Sequence, residues 1–326
     1  MTRLRDALRT VPRVDAAEWA RLPLWTRWAV ATRASVLGMT AVSVAIGGMV
    51  ALSRPGFDVL LWAVAAVGLL AAHASNNLIN DYVDTVRGVD SGDYQRARYG
   101  THVLAAGLLR RGQMRSYIAC TAAVALAAAG ASIAARGAPA AALAAAGAFF
   151  VLFYTWPLKA LGLGEPAVLL VWGPLMCGGA CLVACGEWRP EAVLLGTVYA
   201  LGPTAVLFGK HIDKLEADAA RGVRTLPVRL GEARSRRWVQ LMIVLQLALP
   251  VVLAAVGLLP RWLLLSALAA RPAHAALLRF GAPRPPSRPV DYPAEVWPLW
   301  FAHQAFVLTR RTGALLVFGL ALAAVG

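Results

Sequence analysis

The chain alternates long apolar runs with short polar stretches. Runs at 34–53, 57–82, 116–135, 138–156, 166–185, 191–210, 238–257, 259–278 and 311–326 are dominated by Leu, Ala and Val. A helix rises about 1.5 Å per residue, so about 20 apolar residues cross the roughly 30 Å hydrocarbon core of a bilayer. The pattern predicts an all-α polytopic membrane protein of nine transmembrane helices. The ninth run is short, and Arg271 interrupts the eighth. Residues 1–25 are basic and amphipathic, without the apolar core or cleavage site of a signal peptide. They read as a cytoplasmic surface helix lying on the membrane, ahead of a transmembrane domain at 26–326.

Composition agrees with that pattern: a chain of 326 residues that is 59% hydrophobic and 15% charged is too apolar for an ordinary soluble domain. A formal charge of +15 raises the question of nucleic acid. The basic residues, however, are not interleaved with aromatics on a polar face, as a nucleic-acid surface needs. They gather in alternate loops, within 1–33, 83–115, 210–237 and 279–311 and at Lys159. Arg54, Arg136, Arg189 and Arg261 fall on the other side, and Arg271 inside a span. Because cytoplasmic loops hold an excess of Lys and Arg, this places the N-terminus and the basic loops in the cytoplasm. The localisation that follows is the cell membrane, inner or plasma, with the lipid bilayer and not nucleic acid as the surrounding partner. Cys120, Cys177, Cys181 and Cys185 lie in apolar runs with no Cys-x-x-Cys pair and read as small core residues.

Two acidic clusters stand at helix ends on that basic side. The first closes the second run: Asn77, Asn80, Asp81, Tyr82 and Asp84, with Asp90 and Asp93 following. At about 100° per residue Asn77, Asp81 and Asp84 share one helix face, so three oxygen-bearing side chains converge at a membrane boundary. The second follows the sixth run: Lys210, His211, Asp213, Lys214, Glu216 and Asp218, then Arg221, Arg224 and Thr225-Leu226-Pro227. Acids ringed by Lys and Arg suit a multivalent guest. Mg²⁺ takes carboxylate and phosphate oxygens, while Lys and Arg take the remaining diphosphate charge. A single cluster of this kind is also what an ordinary salt-bridged loop looks like. The loops after the second and sixth runs form a weak internal echo.

Three stretches carry a resemblance: Asn80-Asp-Tyr-Val-Asp84 with Gly88 and Asp90; Tyr154-Thr-Trp-Pro-Leu-Lys159 with Gly162, Gly164 and Glu165; and Asp218 with Gly222, Arg224-Thr-Leu-Pro227 and Gly231. Together they resemble the UbiA superfamily of intramembrane prenyltransferases. The first two are most similar to its MenA branch, the 1,4-dihydroxy-2-naphthoate prenyltransferases of menaquinone biosynthesis. The resemblance implies nine helices around a central cavity, with Mg²⁺ and a polyprenyl diphosphate held at the cytoplasmic mouth. It implies Asp81, Asp84 and Asp218 as catalytic residues and Asn77, Asp81, Asp84, Asp213 and Asp218 as metal ligands. Lys159, Lys214 and Arg224 would bind the diphosphate, with Asn80, Asp90, Glu216 and Tyr154 as additional candidates. Two spacings bear on this transfer. Asp90 follows Asp84 by six positions, as in MenA-like members, and Asp213 precedes Asp218 by five where the family pattern usually shows four. Lys210 and His211 stand where MenA-like members often carry Asn.

The implied reaction transfers a prenyl group to an aromatic acceptor, most like 1,4-dihydroxy-2-naphthoate. The same donor chemistry serves 4-hydroxybenzoate, homogentisate, a chlorophyllide or another lipid. Tyr82, Tyr154 and His73 are candidates for proton movement. A cation-coupled transporter is the rival from another class, but it calls for acids near the bilayer midplane, and here they sit at helix ends beside Lys and Arg. Gly162-Leu-Gly164 is too short for a phosphate loop. Trp297, Trp300 and Phe301 read as an interfacial belt, and Pro283–Pro289 as a stiff connector.

Overall fold

The computed structural model describes residues 2–88 and 100–325, and among them every regular element is helical. Among the described residues nine helices are long and apolar enough to cross a membrane: Ala34–Leu52, Val59–Val86, Arg111–Arg136, Ala138–Leu158, Gly164–Cys185, Pro190–Asp213, Glu232–Ala255, Arg261–Gly281 and Trp300–Ala324. They are called the first to ninth spans below. Successive spans pack side by side, and the ninth returns to the first, which closes a ring; the sixth also touches the first and ninth. Leu60, Leu268, Leu278 and Phe318 are exposed and do not line the cavity inside this ring. Large aliphatic side chains in that position suit lipid and not water.

The ninth span differs most from the hydropathy pattern. It begins at Trp300 and not near 311, because His303 and Arg310 turn into the cavity while Thr309 and Thr312 bond to carbonyls within their own helix. Polar residues satisfied on the inner face lower the local hydropathy without ending the helix. Phe301, read as a belt residue, is a core residue packed on Phe280 at 4.9 Å between ring centroids. Cys177, Cys181 and Cys185 are buried as read, whereas Cys120 is exposed on the third span. Arg271 is exposed on the eighth span, outside its buried Ala273, Ala276 and Phe280.

The N-terminal segment is three short helices, Leu4–Arg9, Ala16–Arg21 and Leu24–Ala31, and not one surface helix. Pro12 and Pro23 interrupt it, since each lacks the N–H that would continue a helix. Ala7, Val14, Trp19 and Leu22 are buried against Ala74 and Leu78 of the second span and Met114 of the third. Tyr82 packs into that same cluster.

Two proline-centred distortions shape the interior. In the fifth span the helix widens over Val171–Gly178, around Pro174, and the Trp172 carbonyl accepts from Ser43 Oγ at 2.8 Å. In the fourth, Trp156 leaves helical geometry (φ −146°, ψ 126°) before Pro157. That break turns the chain so that Lys159 faces the end of the second span.

Candidate active site

Spans one to six and the ninth enclose a cavity of about 1100 Å³ lined mainly by Ala, Leu, Val and Phe side chains. His73 and Trp172 form part of its wall: His73 Nδ1 is 2.9 Å from Thr40 Oγ1, and its ring stands edge-on to Trp172 at 4.9 Å. Asn77, Asn80, Tyr154 and Lys210 line one end.

At that end the final turns of the second span supply the first acidic motif. Asn77, Asn80, Asp81 and Asp84 are all buried. Asn77 donates from Nδ2 to the Thr32 carbonyl at 2.9 Å, and Asn80 donates from Nδ2 to Thr155 Oγ1 at 3.1 Å. Each motif carboxylate faces a cation. Arg33 Nη2 lies 3.2 Å from Asp81 Oδ1 and also donates to the Asn77 carbonyl at 3.0 Å. Lys159 Nζ lies 2.6 Å and 2.9 Å from the two oxygens of Asp84.

Arg33 was not singled out by sequence. Among the described residues it is the one non-glycine with positive φ, 56°. A side chain in the left-handed region is uncommon and costs energy, so its attachment to the second span at Asp81 and at the Asn77 carbonyl holds a strained backbone in place. The only sequence signal was an arginine directly before an apolar run.

The second motif leaves the end of the sixth span. Lys214 Nζ is 3.1 Å from Asp218 Oδ1, with Asp218 fully buried. Asp213, expected as a metal ligand, has another job. Its oxygens accept the Phe301 amide at 3.1 Å and the Ala302 amide at 3.0 Å. It thus caps the ninth span, where unsatisfied N–H groups and the helix dipole favour a carboxylate. Gly209 allows this approach, since a Cβ there would lie 2.7 Å from the Ala302 nitrogen. Burial, and the Asp213 charge, raise the phenol of nearby Tyr292 above its ordinary range, which keeps it a donor to the Leu299 carbonyl at 2.6 Å. Glu216 and Arg224 are exposed and are not brought into the cluster. Asp90 and Asp93 lie outside the described residues.

A second unforeseen pair joins the motifs. His211 Nδ1 is 2.6 Å from Glu165 Oε1, both fully buried, and Glu165 Oε2 has no hydrogen-bond partner. Glu165 adjoins Gly164, where a Cβ would lie 3.7 Å from Lys159 Cα and 3.8 Å from the Tyr154 hydroxyl oxygen, and His211 stands two residues before Asp213. The two halves therefore share one electrostatic cluster. Among the described residues no three His, Cys, Asp or Glu side chains form a ready metal cage. The donor set is nonetheless all oxygen, from Asn77, Asp81, Asp84 and Asp218. It fits a hard divalent cation whose remaining ligands are phosphate oxygens.

Fold and site define a polytopic helical membrane protein in which a carboxylate-and-cation mouth opens on an apolar cavity. The chain belongs to the UbiA prenyltransferase family, whose model matches residues 41–299, and it is a prenyltransferase. It is 28% identical over 222 residues to the 1,4-dihydroxy-2-naphthoate octaprenyltransferase of Escherichia coli, covering 65% of this chain and 70% of that protein. It is 27% identical over 209 residues to UbiA prenyltransferase domain-containing protein 1 of Xenopus tropicalis, covering 63% of this chain. The chain spans 59% of that relative. In fold it matches a UbiA homolog from Aeropyrum pernix with a TM-score of 0.63 at 15% identity, over 87% of this chain and 97% of that one. A UbiA homolog from Archaeoglobus fulgidus, bound to GPP and Mg²⁺, matches at 0.56 and 13%, over 87% and 98%.

Proposed function

We propose that this chain transfers a prenyl group from a polyprenyl diphosphate to an aromatic acceptor, with Mg²⁺ as cofactor and 1,4-dihydroxy-2-naphthoate as the acceptor. The observation that carries the reading is an apolar cavity crowned at one end by Asp81 with Arg33, Asp84 with Lys159 and Asp218 with Lys214. The basic loops support a cell-membrane setting in which that mouth and the N-terminus are cytoplasmic. The naphthoate assignment follows the relative from Escherichia coli.

Asn77, Asp81, Asp84 and Asp218 hold the metal in this reading, and bound Mg²⁺ supplies charge neutralisation on the departing diphosphate. Lys159, Lys214 and Arg33 exchange their carboxylate partners for phosphate oxygens, stabilising the negative charge that develops as the allylic C–O bond breaks. The Ala- and Leu-lined walls hold the prenyl chain and keep water from the cation that remains. The acceptor ring attacks that cation, forming the new C–C bond. With a 2-naphthoate, loss of CO₂ from the substituted carbon restores aromaticity, so no strong protein base is needed. Tyr154, at the boundary of mouth and cavity, is placed to steady the acceptor oxygen.

The test is incorporation of radiolabelled prenyl diphosphate into lipid by the purified chain, with and without Mg²⁺, offering 1,4-dihydroxy-2-naphthoate and 4-hydroxybenzoate separately. Mg²⁺-dependent product with the naphthoate alone is expected. Product with 4-hydroxybenzoate alone overturns the acceptor, and Mg²⁺-independent transfer overturns the site.

A further inference from the structure

The cavity has a second polar feature, which begins one residue past the Ala302 amide held by Asp213 and runs down the ninth span away from the mouth. His303, Phe306, Val307 and Arg310 of the ninth span all line it. Their spacing of three, four and seven residues puts them in one stripe on one helix face. The stripe runs deep. A Cβ at Gly202, near the middle of the sixth span, would lie 2.7 Å from Thr309 Oγ1. Thr312 accepts from Gln246, itself well inside the seventh span, at 2.9 Å. Arg310 therefore stems from the middle of the ninth span, its side chain exposed along the cavity wall, a depth at which a cation is costly and marks function by default.

Helical side chains lean toward the N-terminus of their helix, which here means toward the mouth. The Arg310 guanidinium follows that rule and sits 5.7 Å from the Phe306 ring centroid. Among the described residues it makes no ion pair. Arg33, by contrast, is committed to Asp81. A planar cation beside an aromatic face, with an imidazole one turn above it, matches a flat aromatic ring that carries an acid group: the ring lies along Phe306 and the carboxylate meets the guanidinium fork.

We infer that His303, Phe306 and Arg310 form the acceptor subsite and that they select an aromatic carboxylate. The inference rests on the prenyltransferase reading, and it adds residues of the ninth span to which the acidic motifs give no clue. Five turns of a helix rise about 27 Å, so the one to two turns between Phe301, at the mouth, and the guanidinium leave room for a bicyclic ring below the diphosphate.

Binding of 1-hydroxy-2-naphthoate and of 1-naphthol, which lacks the carboxylate, to the full chain in nanodiscs tests this, with empty nanodiscs subtracted. The wild type should prefer the acid, and Arg310→Met should weaken the acid about 10- to 100-fold while leaving 1-naphthol unchanged. Arg310→Lys should retain part of the preference, and the neighbouring Arg311→Met should retain all of it. Mg²⁺-dependent binding of a non-transferable prenyl diphosphate analogue, measured on the same samples, reports folding and the donor site. If Arg310→Met binds the acid like the wild type, or if the wild type binds acid and naphthol alike, the subsite is overturned. If the wild type binds no donor analogue, the prenyltransferase reading itself fails, whatever the acid does.

Discussion

The two acidic motifs look alike in sequence and are held in opposite ways. At the first, each carboxylate meets a cation delivered from another part of the fold: Arg33 for Asp81 and Lys159 for Asp84. At the second, Asp218 meets Lys214, four residues before it on the same segment, while Asp213 is turned into the backbone of the ninth span. The first motif is thus a tertiary construction whose geometry depends on three segments packing correctly. The second is local, with one of its acids given over to joining helices. Similar motifs at matching helix ends need not be matching halves of a site.

Variants of the paired acids sharpen this contrast most. Asp81→Ala and Asp218→Ala should each cut transfer by about 10²–10³ or more, with the protein still folded and inserted, as a ligand of the metal that neutralises the developing anion is lost. Near-normal turnover in both would break the site assignment. Lys159→Met comes next, because it removes a phosphate donor and also leaves Asp84 buried without its cation. Breaking a buried pair costs about 3–5 kcal/mol, so both donor affinity and thermal stability should fall. Unchanged stability would mean that the first motif is as local as the second.

A smaller effect separates the two acids of the second motif. Asp213→Asn should cost about 1–2 kcal/mol of stability, through loss of a charged helix cap. Its Mg²⁺-dependent donor affinity should stay within about threefold of wild type, since a cap makes no contact with the diphosphate. Calorimetry and donor titration on one preparation decide it. Collapse of donor affinity at unchanged stability would return Asp213 to the metal and restore the symmetry.

Much of this was legible in the chain. Eight of the nine spans follow their apolar runs closely, and the 3.6-residue period alone put Asn77, Asp81 and Asp84 on one face. What periodicity carries is local. Arg33 and the Glu165–His211 pair depend on which segments meet, and an isolated Arg before a hydrophobic run, or a His among Lys residues, looks like ordinary boundary chemistry. The Asp213 role was hidden for a related reason. A cap is recognisable only when the helix it caps is known to begin at Trp300, and the inward-facing His303 and Arg310 masked that start. The same masking hid Arg310, which reads as a loop residue until its helix is seen.

The smallest predicted effect tests whether the local motif stays open. Arg224 is exposed, ahead of the short helix Leu226–Leu230, and its carbonyl accepts from Arg229 Nε at 3.2 Å. An exposed charge is worth little and is screened over about 8 Å at physiological salt. Arg224→Ala should therefore raise the donor KM only about two- to threefold at 0.15 M salt, and more at low salt, with acceptor KM unchanged. The consequence of losing the buried Lys159 should depend far less on salt, since burial shields it from counterions. Donor KM for both variants across ionic strength makes the comparison direct. A large, salt-insensitive loss for Arg224→Ala would mean that the loop closes over the diphosphate and buries Arg224 when substrate binds. The second motif would then complete itself only in the loaded enzyme, and its contrast with the first would belong to the resting state alone.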